Sequence, residues 1–206
     1  MTSVIHSFRP DGSVMDLANP LVSDIQWPTI ASALSKLARF NGINPGPMLS
    51  VAQHSVMGAD AFANETGDPM LSAYFLLHDA HEALIGDWSR PSVLILADAL
   101  NHMHGTPVQF VRNAVEAVKA RLDQAIYHAA GLPSAVPFLV KEMDERMLRA
   151  ETLALFGKKG LANLAGREMP MPKLTGAIKP WAPMKAEEAW LDRLTRYLGI
   201  DWRAAA

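Results

Sequence analysis

The segment Leu76-Leu77-His78-Asp79-Ala80-His81-Glu82-Ala83-Leu84 sets four titratable side chains into an otherwise apolar run. Burying even one such group without a partner costs roughly 2–7 kcal/mol, so four together need partners, and a metal ion is the most economical single partner. On a helix, His78 and Glu82 stand four residues apart and share a face. His78 and its neighbour Asp79 diverge by about a third of a turn and can reach one ion only over the edge between them. The zinc-protease pattern fails, because His81-Glu82 would need a second histidine at the position of Ile85.

Two further segments carry matching intrusions. His54 lies on the stripe marked by Val51, Gly58 and Phe62, and Asp144 lies between Val140 and the pair Met147 and Leu148. Each has a plainer reading: a histidine on an apolar face is often a satisfied core residue, and Asp144 could pair with Arg146 or Arg149. Asp123, flanked by Glu116 and Lys119, reads as a solvated acid. His102 and His104 fall in a stretch bounded by Asn101 and Pro107 and read as surface histidines in a loop. The chain has no cysteine, so thiolate chemistry is excluded and any metal is held by His, Asp or Glu.

Helices must position these groups. Trp27-Pro28 opens a run to Arg39, Ser50 caps one that fades by Gly67, and Asp68-Pro69 opens one closed by Gly86. Pro91 opens a fourth, Thr106-Pro107 a fifth ending at Gly131, and Pro137 a sixth closed by Gly157. No alternating strand pattern stands out, so the fold class is all-α, a globular bundle of about six or seven helices. Residues 1–26 lack periodicity, the proline-rich stretch from Met169 to Pro183 should be extended, and a terminal helix follows with Ala189, Leu191, Leu194 and Leu198. The whole, 1–206, reads as one domain with its core in about 25–156 and 157–206 as an extension packed on it. Half of the residues are hydrophobic, enough for a core without staples. Nineteen basic residues against 21 acidic, without runs of either sign, predict no nucleic-acid and no membrane partner. Met1 to Gly12 lacks the apolar run of a secretory signal, which makes a cytoplasmic protein the expectation.

His54, His78-Asp79 and Asp144 follow in order the H…HD…D pattern of the HD-domain phosphohydrolases. Ala38-Arg39-Phe40-Asn41-Gly42, Ser50-Val51-Ala52-Gln53-His54-Ser55, Gly86-Asp87-Trp88-Ser89-Arg90-Pro91 and Val140-Lys141-Glu142-Met143-Asp144 extend the resemblance. Over about residues 25–156 the chain resembles the branch of bacterial 5′-deoxynucleotidases and phage dATP triphosphohydrolases. It differs from them at Phe40, where they carry Trp, and at Gln53, where Glu is common. The resemblance implies one divalent ion held by His54, His78, Asp79 and Asp144. That donor set suits Zn, Co, Mn, Ni or Fe, and Mg less well.

It also implies a nucleotide substrate: first a deoxynucleoside 5′-monophosphate, alternatively a dNTP. Glu82 would act as general base or acid. Asp87 becomes a pocket residue rather than a turn acid. Arg39 becomes a phosphate ligand rather than a cation on a helix end, with little core to support. Phe40 would pack on sugar or base, while Trp88 and Arg90 serve either substrate contact or loop packing. Other readings are an HD-type di-iron oxygenase, with His102 or His104 as added ligands, and a non-catalytic nucleotide-binding module. Trp181 and Trp190 in the tail, together with the dimers common in that family, suggest a homo-oligomer.

Overall fold

The computed structural model describes residues 4–203 apart from Arg167. Small polar residues and prolines set the helix starts. Pro28 stands in the first turn of α1 (Trp27–Lys36). The Ser50 hydroxyl accepts from the Gln53 N–H to open α2 (Val51–Thr66), and Gly67 closes it at φ 68°. The Asp68 carboxylate accepts from the N–H groups of Met70 and Leu71 to start α3 (Pro69–Leu77). A single turn, α4 (Glu82–Ile85), follows. Ser89 caps α5 (Arg90–His104), Pro107 precedes α6 (Val108–Ala129), Pro137 precedes α7 (Phe138–Asn163), and Pro183 opens α8 (Pro183–Leu198). The fold is all-α.

Several details differ from the sequence expectation. The N-terminal segment holds a small antiparallel hairpin of β1 (His6–Phe8) and β2 (Val14–Asp16), whose three-residue strands are too short for alternation to show. The first helix ends at Lys36, and Arg39 instead begins a separate 3-10 turn, Arg39–Gly42. His102 and His104 occupy the exposed last turn of α5 rather than a loop. Within α7, Gly157 adopts φ 69°, ψ −169°, so the run breaks where glycine was expected to close it.

One core joins α1, α2, α3, α6, α7 and α8. Leu34, Val56, Phe75, Leu77, Ile126 and Met147 are buried in it, together with Trp190, Leu191 and Leu194 of the last helix. Trp190 is fully buried, its ring 6.3 Å from that of Trp27, and Trp181 is partly buried against the same core. Residues 168–182 carry no helix or strand before α8, and the Gln53 side chain pins them by donating to the Lys179 carbonyl and accepting from the Trp181 N–H. By contrast α5 lies along α6, and Ala97 is its one buried residue. Among the described residues no helix is long and apolar enough to cross a membrane.

Gly58 sits in the middle of α2, where glycine is about 1 kcal/mol worse than alanine. The Phe75 ring explains it: a Cβ at position 58 would lie 2.0 Å from the Phe75 Cε1. Gly58→Ala should therefore destabilise the protein by about 1–3 kcal/mol despite the better propensity. Thermal melting checks this, and an unchanged midpoint would show that Phe75 has room to move.

Candidate metal centre

The chain tightens where α3 ends. Ala80 N–H donates to the Leu77 carbonyl, Glu82 to Asp79, and Ala83 to Ala80, all at three-residue spacing. Residues three apart eclipse one another in such a turn. The continuous helix expected from Pro69 to Gly86 is thus broken after Leu77, and Glu82 is placed against Asp79 rather than on the face of His78. Carboxylate oxygens of Asp79 and Glu82 and a ring nitrogen of His81 lie within 4.8 Å of one another.

His54, His78 and Asp144 offer ligand atoms within 4.8 Å of one another, and Asp79 reaches both histidines from the neighbouring group it forms with His81 and Glu82. His54 Nε2 lies 3.4 Å from His78 Nε2, 3.3 Å from Asp144 Oδ1 and 3.8 Å from Asp79 Oδ2. His78 Nε2 lies 3.2 Å from Asp79 Oδ2 and 3.8 Å from Asp144 Oδ1. An ion with bonds of about 2.0–2.2 Å to such donors separates neighbouring ones by roughly 3–3.6 Å; the 3.2, 3.3 and 3.4 Å separations fall in that range and the two at 3.8 Å lie just beyond it. Both imidazoles are oriented from behind. His54 Nδ1 lies 2.7 Å from Glu151 Oε1, and His78 Nδ1 donates to the Phe75 carbonyl at 2.6 Å. An Nδ1–H in each bond leaves the Nε2 lone pair for the centre. Phe75 also packs its ring 4.4 Å from that of His78 and 5.4 Å from that of His54.

Solvent reaches the cluster from one side. Side-chain exposure rises from 0% at His54 through 12% at His78 and 16% at Asp79 to 36% at Asp144, which marks the mouth. The charge balance calls for a cation. Burial and Arg39 oppose a proton on His54, and burial opposes one on His78. Glu151 and Asp144 around the first, and Asp79 and Asp144 around the second, outweigh this and raise both pKa values. Asp79 and Asp144 are held well below the carboxylate range by the two histidines, against burial. Two imidazoles and two carboxylates held in the ionised form thus favour positive charge between them.

Arg39 is not an exposed helix-end cation. Its Nε donates to Glu151 Oε2 at 2.9 Å, and its Nη1 lies 3.7 Å from Asp79 Oδ2. The side chain is 13% exposed, so its removal would leave the buried Glu151 without its cation, contrary to the expectation that it supports little of the fold. It is aimed by a strained turn: Phe40 and Asn41 both adopt positive φ, 54° and 53°. The Phe40 ring rests edge-on against Phe156, 5.3 Å away.

Glu82 is 5% exposed and its Oε2 has no hydrogen-bond partner among the described residues. Burial, with the Asp79 and Asp87 carboxylates, pushes its pKa up to about 9. Burial and Asp79 likewise raise Asp87, against Arg39. The Trp88 indole donates to the Ile85 carbonyl within its own loop, and the Arg90 guanidinium is engaged by Glu145, next to Asp144. His102 is 76% exposed beside Asp98, and neither it nor His104 joins the ligand atoms gathered at the centre.

Two participants were not anticipated. Glu151, 1% exposed, stands two turns beyond Asp144 on α7, and that seven-residue spacing was the available signal. Asp123 is not merely solvated: its carboxylate lies 2.8 Å from His81 Nδ1 and ties the tight turn to α6.

No protein-family model matches this sequence. The chain is similar to an uncharacterized protein of Rhodobacter capsulatus, 28% identical over 193 residues, which covers 88% of this chain and 90% of that one.

Proposed function

We propose that this chain is a metal-dependent phosphohydrolase of the HD-domain type acting on nucleotides, and that its substrate is a deoxynucleoside 5′-monophosphate. The observation that supports it most is the gathering of His54, His78, Asp79 and Asp144 with a buried arginine and the buried Glu82 carboxyl beside Asp79. A divalent ion held by those four residues would supply Lewis acidity toward water and a phosphoryl oxygen.

The remaining chemistry belongs to the chain. Arg39, always charged, offsets the negative charge of a phosphate entering from the Asp144 side. Glu82, neutral at pH 7 in the metal-free protein, is suited to donate a proton to the departing oxygen. Its unpartnered Oε2 and the unpartnered Nε2 of His81 are buried polar atoms that await a ligand or water. The nucleotide class rests on the sequence resemblance alone.

Purified protein loaded in turn with Zn, Co, Mn, Ni and Fe(II) should be offered every nucleoside monophosphate and triphosphate. Release of inorganic phosphate from deoxynucleoside monophosphates is expected. Release of tripolyphosphate from dNTPs would make it a triphosphohydrolase, and no turnover with any metal would refute the hydrolase reading.

A further inference from the structure

Among the described residues, buried Glu151 spends its two oxygens on two different working residues. Oε1 faces His54 Nδ1 at 2.7 Å, and Oε2 accepts from Arg39 Nε at 2.9 Å, while the side chain is 1% exposed. We propose that Glu151 is a positioning residue: its two acceptor oxygens fix the metal-binding tautomer of His54 and hold Arg39 beside the same centre. The proposal rests on the metal-centre reading above and names a group outside the four ligands.

The chemistry follows from donor counting. Arg39 Nε–H can only donate, and His54 keeps its Nε2 lone pair for an ion only while Nδ1 carries the proton. A carboxylate can accept from both sides at once. An amide cannot. In Glu151→Gln one face becomes NH2. Turned toward His54, it donates to Nδ1 and moves the histidine proton to Nε2, where it blocks coordination. Turned toward Arg39, it sets donor against donor and releases the guanidinium. The charge-assisted bond to Arg39 is the stronger of the two, so the first arrangement prevails.

Co(II) is the probe, titrated against a competing chelator into the metal-free full chain, with the visible absorption spectrum as a second readout. Removing such an outer partner lowers metal affinity by about 10–100-fold. Glu151→Gln is expected to show a loss of that size with an altered Co(II) spectrum. Glu151→Asp, which keeps two acceptor oxygens on a shorter arm, should recover part of it. A folded Glu151→Gln protein with wild-type affinity and spectrum would overturn the proposal, as would a larger loss in Glu151→Asp than in Glu151→Gln, which a space-filling role predicts.

Should Glu151→Gln not fold, histidine 15N spectra of the zinc-loaded wild type decide. A proton on His54 Nδ1 supports the role, and an unprotonated Nδ1 overturns it. Wild-type protein that takes up no Co(II) would refute the metal centre itself, an outcome distinct from uptake that ignores position 151.

Discussion

Glu82→Gln is expected to keep its metal and its affinity for nucleotide while turnover falls by about 10²–10⁴-fold, the usual contribution of a general acid or base. Glutamine has nearly the same shape but no proton to give at neutral pH. The loss should appear in kcat rather than in KM, because Arg39 and the four ligands are untouched. Full activity would move the proton transfer to another group, with Asp87 next. Loss of the metal would make Glu82 a fifth ligand.

The same substitution carries a stability signature in the metal-free protein. Glu82 titrates near about 9 when folded, against an ordinary value of 4.5. The folded state therefore retains a proton that the unfolded chain gives up above about 4.5. The associated stability is complete below that pH and is lost as pH rises toward about 9. Melting curves across that window should slope more steeply downward for the wild type than for Glu82→Gln. Parallel slopes would show that the buried carboxyl does not hold its proton.

His78→Ala should abolish the centre, with metal content falling toward zero and activity with it. Its Nε2 contacts donors on both sides, and no neighbouring group replaces it. In the wild type, metal uptake must displace protons, because His54 and His78 both have raised pKa values. Affinity should thus rise with pH through and above the ordinary imidazole range, and calorimetry in buffers of different ionisation enthalpy should register proton release. A His78→Ala protein that still binds one tight ion, or uptake indifferent to pH, would contradict the four-donor arrangement.

The polar intrusions were legible because burial makes them conspicuous. His54, His78 and Asp144 each break an apolar stripe, and local periodicity alone places them inward. Glu151 was not legible in the same way. It follows Arg149 and Ala150 in a charged stretch, and only its distance from Asp144 hints that it faces the same way. Asp123 looked solvated because its helical neighbours are charged, yet its partner His81 lies 42 residues away, beyond any local pattern. The break after Leu77 escaped because every residue from Tyr74 to Ile85 tolerates a helix. What decides it is three-residue hydrogen bonding with the His78 side chain engaged on Phe75. Proline marked the starts of α1, α3, α5, α6, α7 and α8, since its constraint is local, whereas the ends of α1, α3 and α7 fell elsewhere than expected.

The pairing of Trp27 with Trp190 orders events during synthesis. Helix α1 leaves the ribosome well before α8, yet α1 packs against α8. Until α8 emerges, Trp27, Ile30 and Leu34 lack one wall of their core, and α2, which carries His54, packs against the same late helix. Contacts between segments so distant in sequence form slowly, because the loop they close must first lose its freedom. A nascent chain halted before Pro183 would expose that apolar face to chaperones, and α2 with His54 would lack one of its packing partners until α8 is released.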